Sequence, residues 1–424
     1  MRIVLAAYGT RGDVEPCLAV GCELVRRGHE VLVAVPPDQI GFAESAGFTA
    51  VAYGPDSQVS LAINSGANQK GESAHRPWQL GRQRQMYRDD WEFQKRCRSE
   101  LASVLMSVAG EADLLFHGQV FEDLADNVAE YYGVPMVTLH YYPLRPNGQL
   151  LRFLPAPLGR ATMAAFWWIT SRAAGNAEKE QRHELGLPKD SRSATRRISD
   201  RGSLELQAYD DACFPGLADE WADWRDQRPF VGALCMEVAT QVDHEVAAWI
   251  AEGRPPICFA FGSMSMKSPA ETMAMISEAC AQLGERALIC AGSSGFSTDS
   301  HADHVKVVSR MNYAAIFPTC RAIVHHGGAG TVAGALRAGV PTLILWSAPD
   351  RQMWGAVIDR LGVGTARRFS RTTTKSLVAD LRRIVAPQYV DRAREVASQM
   401  SNPAESAAVA ADRVEEFAIS RCRS

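Results

Sequence analysis

The chain has 424 residues, 46% hydrophobic and 22% charged, the proportions of a globular protein of more than one domain. A formal net charge of −3 excludes the basic excess of a nucleic-acid binder, and no run of about 20 uninterrupted apolar residues offers a membrane span. Ten cysteines form no CxxC pair and lie mostly in apolar runs, which points to reduced, buried thiols in the cytoplasm, not a disulfide frame or a zinc site.

The chain opens directly on a strand, Arg2 to Ala7, with no charged n-region and apolar h-region ahead of it, so no signal peptide is expected. The turn Gly9-Thr10-Arg11-Gly12-Asp13-Val14-Glu15-Pro16 feeds a helix carrying Leu18, Leu24 and Val25, with Pro16 in its first turn and Gly28 ending it. Glu30 to Val35 is the second strand, and this βαβ unit starts a parallel, doubly wound α/β sheet. Asp13 lies at the carboxyl end of the first strand, where open α/β sheets place ligands. It reads either as the helix N-cap or as a general base. Further strands are expected at 48–53, 113–117, 135–140 and 203–209, and helices near 78–108 and 119–132. Residues 54–77 are rich in Gly, Ser, Asn and Gln and read as loop, as does 186–202. The basic stretch from Lys70 to Arg98, with Trp78, Tyr87 and Trp91 interleaved, is either a solvated helix face or a contact with an anionic membrane surface. Residues 148–172 are apolar and aromatic, including Phe153, Met163, Phe166 and Trp167; they suit a core or the lining of an apolar ligand channel. Residues 210–235 lack a regular apolar period and read as an interdomain linker.

A second sheet domain follows. The strand 256–261 ends in Gly262-Ser263-Met264, then a helix (270–283), strands 286–291 and 305–309, the turn Arg310-Met311-Asn312 and a short helix (313–318). Arg321 to Val324 is a buried parallel strand leading into His325-His326-Gly327-Gly328-Ala329-Gly330-Thr331 and then a helix from Val332. Strand, glycines and helix N-terminus together make an anion site: free N–H groups and the positive end of the dipole point at one spot, and glycine lets a phosphate come close. Thr331 adds a hydroxyl and His326 a charge-assisted ring donor, so a diphosphate is the expected ligand; the alternative is an ordinary tight turn with an incidental histidine pair. The run is neither G-x-x-x-x-G-K-[ST] nor G-x-G-x-x-G. The strand Pro341 to Trp346 precedes Ser347-Ala348-Pro349-Asp350-Arg351; Leu361-Gly362-Val363-Gly364 closes the next helix, and the tail 387–420 is helical with a break at Pro403.

The HHGGAGT run in the second half and GTRGDVEP in the first resemble, in that order, the motifs of GT-B nucleotide-sugar glycosyltransferases. The branch resembled contains the actinobacterial antibiotic, sterol and mycobacterial glycopeptidolipid glycosyltransferases, and the likeness runs over the whole length. It implies two Rossmann-like doubly wound parallel-sheet domains facing a cleft: an acceptor domain (1–212), a linker (213–235), a donor domain (236–402) and a last helix (403–424) packed back on the first domain. Carried onto this sequence, Asp13 becomes the base that deprotonates the acceptor hydroxyl. Gly262, Ser263, His326, Gly328, Ala329, Gly330 and Thr331 grip the donor diphosphate, the main chain at Met311 meets the nucleobase, and Asp350 with position 351 holds the sugar. Arg11, Gly12, Phe153, Met163, Phe166 and Trp167 fall in the acceptor half. The implied reaction is an inverting, metal-independent hexosyl transfer to a hydroxyl of an apolar glycolipid or lipopeptide, with a nucleotide sugar as co-substrate and no cofactor. The enzyme is expected as a cytoplasmic monomer or dimer, or at the inner membrane face. Arg351 departs from the family's Gln. If it meets the sugar, it favours a deoxyhexose such as rhamnose on dTDP; alternatively it pairs with Asp350. The alternatives are a UDP-glucose-dependent glucosyltransferase acting on a polyketide, glycopeptide or sterol-like aglycone, and a GT-B-fold sugar-nucleotide epimerase.

Overall fold

The computed structural model describes residues 1–59, 80–151, 154–236, 240, 242–262, 264, 266, 268–292, 294–297 and 302–422, with 80–91, 170–176 and 422 described as backbone only. The chain divides into two compact units, residues 1–236 with 402–424, and residues 237–401.

Among the described residues the first unit holds six parallel strands: β1 (Arg2–Ala6), β2 (Glu30–Val35), β3 (Thr49–Ala52), β4 (Leu114–Gly118), β5 (Met136–His140) and β6 (Leu204–Gln207), in the order β3-β2-β1-β4-β5-β6. The second holds β7 (Ile257–Ala260), β8 (Ala287–Cys290), β9 (Val305–Val308), β10 (Ala322–His325), β11 (Thr342–Trp346) and β12 (Gly364–Arg368), in the order β12-β11-β10-β7-β8-β9. Counted within its own unit, each sheet has the same doubly wound order, with a switch point at β1/β4 and at β7/β10. The central strands are apolar throughout because helices cover both faces: Ile3, Val4 and Leu5 are fully buried, as are Ile257, Cys258 and Phe259. Each such aliphatic or aromatic side chain stabilises the fold by about 1.5–3 kcal/mol.

The structure departs from the sequence expectation in four places. The first helix begins at Arg11, so Pro16 lies in its second turn instead of its first, and the Gly12 carbonyl receives no N–H from it. Strand β12 follows the helix that Leu361-Gly362 closes; it is an edge strand, largely half-buried and ending in two arginines, with no apolar run to mark it. Within 186–202, Ala194–Asp200 is a helix whose buried Arg197 reaches Glu178 and Asp126 at 2.6 and 3.4 Å, an inward face built from ion pairs. Residues 210–235 carry buried Cys213, Phe214, Leu217, Trp221, Val231 and Leu234, and the contact boundary falls after Met236.

The helix Pro403–Cys422 belongs to the first unit. Ala410, Ala411, Val414 and Ala418 enter the core built on β1, β2 and the helix Arg11–Arg26. Arg27 donates to Asp412 (2.6 Å) and Glu415 (2.7 Å), and His29 Nε2 lies 2.7 Å from Glu415. Among the described residues no helix is long and apolar enough to cross a membrane.

Candidate active site

The second unit gathers the predicted phosphate residues on the carboxyl edge of its sheet, around the β7/β10 switch point. Gly262 follows β7, His326 to Gly328 follow β10, and Ser347 to Arg351 follow β11. Gly327 has φ +92°, and a Cβ there would lie 2.9 Å from Ile344 Cγ2 and 3.2 Å from the Arg351 carbonyl; the turn closes only with glycine. Gly328 caps the helix Ala329–Arg337, whose first intrahelical bond runs from Val332 N–H to the Gly328 carbonyl at 2.9 Å. The N–H groups of Ala329, Gly330 and Thr331 therefore have no partner within the helix. Nothing lies within 4 Å of a Cβ built on Gly330, so the space over this helix end is open.

The two histidines are held differently. His325 Nδ1 accepts the Gly327 N–H at 3.1 Å, which leaves the proton on Nε2. The His326 ring stands between two glycines, its Cε1 3.1 Å from a Cβ built on Gly262 and its Nε2 2.6 Å from one built on Gly328. Among the described residues His325 Nε2 and His326 Nδ1, both buried, have no hydrogen-bond partner. Burial pushes both imidazoles down to about 3; for His326 the Arg351 charge and His325 add to this, and the Ala260 carbonyl opposes it. His326 is therefore a neutral ring, and the charge-assisted donor expected from the sequence is corrected to an uncharged one. Arg351 Nη1 donates to Ser347 Oγ at 3.1 Å while its charge is felt at His326. Asp350 is exposed in the first turn of the helix Pro349–Leu361, a position the helix dipole favours. The Met311 side chain is buried in the core beside Ile316 and Phe317, so Met311 offers only main chain to a ligand, and Asp243 accepts the neighbouring Asn312 N–H at 2.8 Å. Ser263 lies outside the described residues.

In the first unit Asp13 is the third residue of its helix, and Thr10 is the cap. Asp13 Oδ2 accepts from Thr10 N–H at 2.8 Å and Thr10 Oγ1 at 3.1 Å, which completes a capping box. The other oxygen, Oδ1, accepts the Tyr141 hydroxyl at 2.5 Å. A Cβ on Gly9 (φ +137°) would sit 2.4 Å from Asp13 Oδ2, so the chain must pass the carboxylate as glycine. Tyr141 was passed over in the sequence; its signal is its place directly after β5, on the same sheet edge as Asp13. Arg11 is turned to Glu15 (2.7 Å) and stacks 4.4 Å over Phe42, and Gly12 is exposed beside it. Met163 and Trp167 share one face of the helix Ala156–Glu184, buried and half-buried, whereas Phe166 is 58% exposed on another. Phe153 lies outside the described residues. Among the described residues no group of three His, Cys, Asp or Glu side chains is placed to hold a metal ion.

Two doubly wound units of identical strand order, with a glycine-rich turn into a helix at the switch point of the second, are the architecture of a GT-B glycosyltransferase. The chain belongs to that family. Residues 3–85 match the glycosyltransferase family 28 N-terminal domain, and residues 288–416 match the erythromycin biosynthesis protein CIII-like C-terminal domain. An uncharacterized glycosyltransferase of Mycobacterium tuberculosis is 53% identical over 421 residues, 99% of each chain. The sterol 3-beta-glucosyltransferase UGT80B1 of Arabidopsis thaliana is 27% identical over 420 residues, 95% of this chain and 66% of that one. Among solved structures, the calicheamicin glycosyltransferase CalG4 covers 98% of both chains at TM-score 0.70 and 17% identity. The glycosyltransferase VinC, solved in complex with dTDP, covers 100% of both at TM-score 0.63 and 21% identity.

Proposed function

We propose that this glycosyltransferase moves a hexose from a nucleoside-diphosphate sugar to a hydroxyl of an apolar acceptor, with inversion and without a metal ion. The observation that carries the reading is the open N-terminus of the helix Ala329–Arg337, with the buried His326 ring packed against its cap, Gly328. The first-turn N–H groups have no partner within the helix, and with the positive pole of the dipole they make a place for an anion. In the proposed step the acceptor oxygen attacks the anomeric carbon, Asp13 takes its proton, and the bond to the diphosphate breaks with its electron pair on the departing oxygen. The helix end, His326, Thr331, Gly262 and Ser263 receive that charge, so the positive pole does the work a cation would do. An apolar glycolipid or lipopeptide is the proposed acceptor, drawing on the apolar segment around Met163 and Trp167.

Arg351 directs the choice of donor. It donates to Ser347 Oγ on the same sheet edge as the glycine turn, its charge is felt at His326, and it only donates. A 6-deoxy sugar such as rhamnose on dTDP is the leading donor, and the dTDP in the VinC structure supports a thymidine nucleotide. The sterol 3-beta-glucosyltransferase relative favours a second reading, glucose from UDP-glucose to a sterol-like aglycone. The deciding experiment is competition between dTDP-rhamnose and UDP-glucose in excess chelator, with mass detection of both products and NMR of the anomeric configuration. The proposal expects rhamnose turnover that survives chelation and an inverted product. A preference for UDP-glucose unchanged in Arg351→Gln removes Arg351 from donor choice, and activity restored only by magnesium or manganese overturns the metal-free step.

A further inference from the structure

Asp13 is gripped at both oxygens. Thr10 supplies two donors to Oδ2 from within the capping box, and those bonds are what any helix start of this kind would make. The bond to Oδ1 is different in kind: it comes from Tyr141, 128 residues away, on the loop after β5. Nothing in helix capping requires it. The Tyr141 phenol is half-buried beside the core, with Tyr142 in edge contact at 5.9 Å between ring centroids. Burial and the neighbouring carboxylate push the phenol well above its ordinary range, so it stays protonated and always donates. Its main-chain N–H is held by Gln119 Oε1 at 3.2 Å, which ties the loop after β5 to the loop after β4.

We propose that Tyr141 is a positioning residue for Asp13, holding Oδ1 by a long-range hydrogen bond so that the carboxylate stays ionised and aimed, and setting the acid limit of catalysis. This rests on the reading of Asp13 as the base. A donor to a carboxylate favours its charged form, so a base with this bond works at lower pH than one without it, at some loss of basicity. Other titratable groups near Asp13 are engaged differently. Cys17, one turn along the helix, is buried and its thiol is pushed up by burial and by Asp13; Arg11 and Glu15 pair with each other; Tyr142 makes an edge contact with the Tyr141 ring. No other group need change state: the proton leaves the acceptor oxygen for Asp13 and departs to solvent after product release.

The test uses the full chain and water as the acceptor probe, following hydrolysis of whichever of dTDP-rhamnose, dTDP-glucose and UDP-glucose the wild type cleaves fastest. Tyr141→Phe should move the acid limb of kcat upward by about one pH unit, lower the plateau several-fold and leave the donor KM in place. Placing 3-fluorotyrosine at position 141 preserves the shape and strengthens the donor, so the limb should move down; this keeps the test available if Tyr141→Phe folds poorly. A limb that moves in neither protein overturns the assignment. Asp13→Asn separates the two layers: full turnover in that variant sinks the base itself, whereas loss of turnover with an unmoved limb at position 141 sinks Tyr141 alone.

Discussion

His326 illustrates how burial changes a residue's chemical meaning. A histidine at the mouth of a phosphate site suggests a cation, yet the ring sits between Gly262 and Gly328 out of water, and Arg351 repels any proton it takes up. It therefore offers a neutral N–H, worth about 0.5–1.5 kcal/mol. His326→Ala should weaken dTDP or UDP binding by roughly two- to tenfold in calorimetry, with the fold retained; unchanged affinity would leave the ring a purely structural spacer. The same burial has a pH signature. His325 and His326 ordinarily titrate near 6.5 and are held to about 3 in the fold. The unfolded chain takes up these protons below about pH 6.5 and the folded one does not until about 3. The stability they contribute is thus complete above pH 6.5 and is lost as the pH falls toward 3, on the order of 2 kcal/mol each by pH 5. Thermal unfolding of the second unit should drop between pH 7 and 5, and His326→Ala should flatten that slope; an equally steep slope in the variant would show that other groups carry it.

The helix Ala329–Arg337 is the element on which the donor reading depends, and its first turn can be probed without touching a charge. Gly330 has open space where a Cβ would go, and its helical position makes alanine stabilising by about 0.5–1 kcal/mol. If a diphosphate lies against that backbone, Gly330→Ala should raise the unfolding temperature slightly and lower nucleotide affinity by about tenfold, because the methyl group occupies the approach. Gain of stability with undiminished affinity would move the phosphate away from this helix end. Gly327 behaves oppositely: with φ +92° and Ile344 2.9 Å from a Cβ, its replacement should disturb the turn itself.

At the scale of the whole molecule, the last helix is part of the first unit although it follows the second in sequence. Its buried face of Ala410, Ala411, Val414 and Ala418, with the Arg27 and His29 contacts to Glu415, is lost when the chain is cut after Asn402. Removing that apolar face should destabilise the first unit by several kcal/mol. Differential scanning calorimetry of the truncated chain should show the first unit's transition shifted down and the second's, marked by its response to added dTDP, in place. A common shift of both transitions would mean that the two units do not unfold independently.

Much of this protein is legible in its linear order. Among the described residues, eleven of the twelve strands fall where the sequence reading puts them, the central ones as short apolar runs because a strand covered on both faces must be apolar along its length. The glycine-rich turn after β10 was readable because its signal is local: glycines, histidines and a helix start within seven residues. Gly28 at the end of the first helix was readable for the same reason. What escaped is what lacks a local pattern. Strand β12 sits at a sheet edge, where one side needs no apolar cover, and the helix Ala194–Asp200 buries an arginine whose partners come from distant parts of the chain. The neutrality of His326, the inclusion of 210–235 in the first unit and the meeting of Tyr141 with Asp13 across 128 residues depend on how elements are brought together. Residue types and their spacing determined the architecture and the candidate chemistry; burial and long-range contact, which no short window of sequence contains, decided the charge and aim of the groups that carry it.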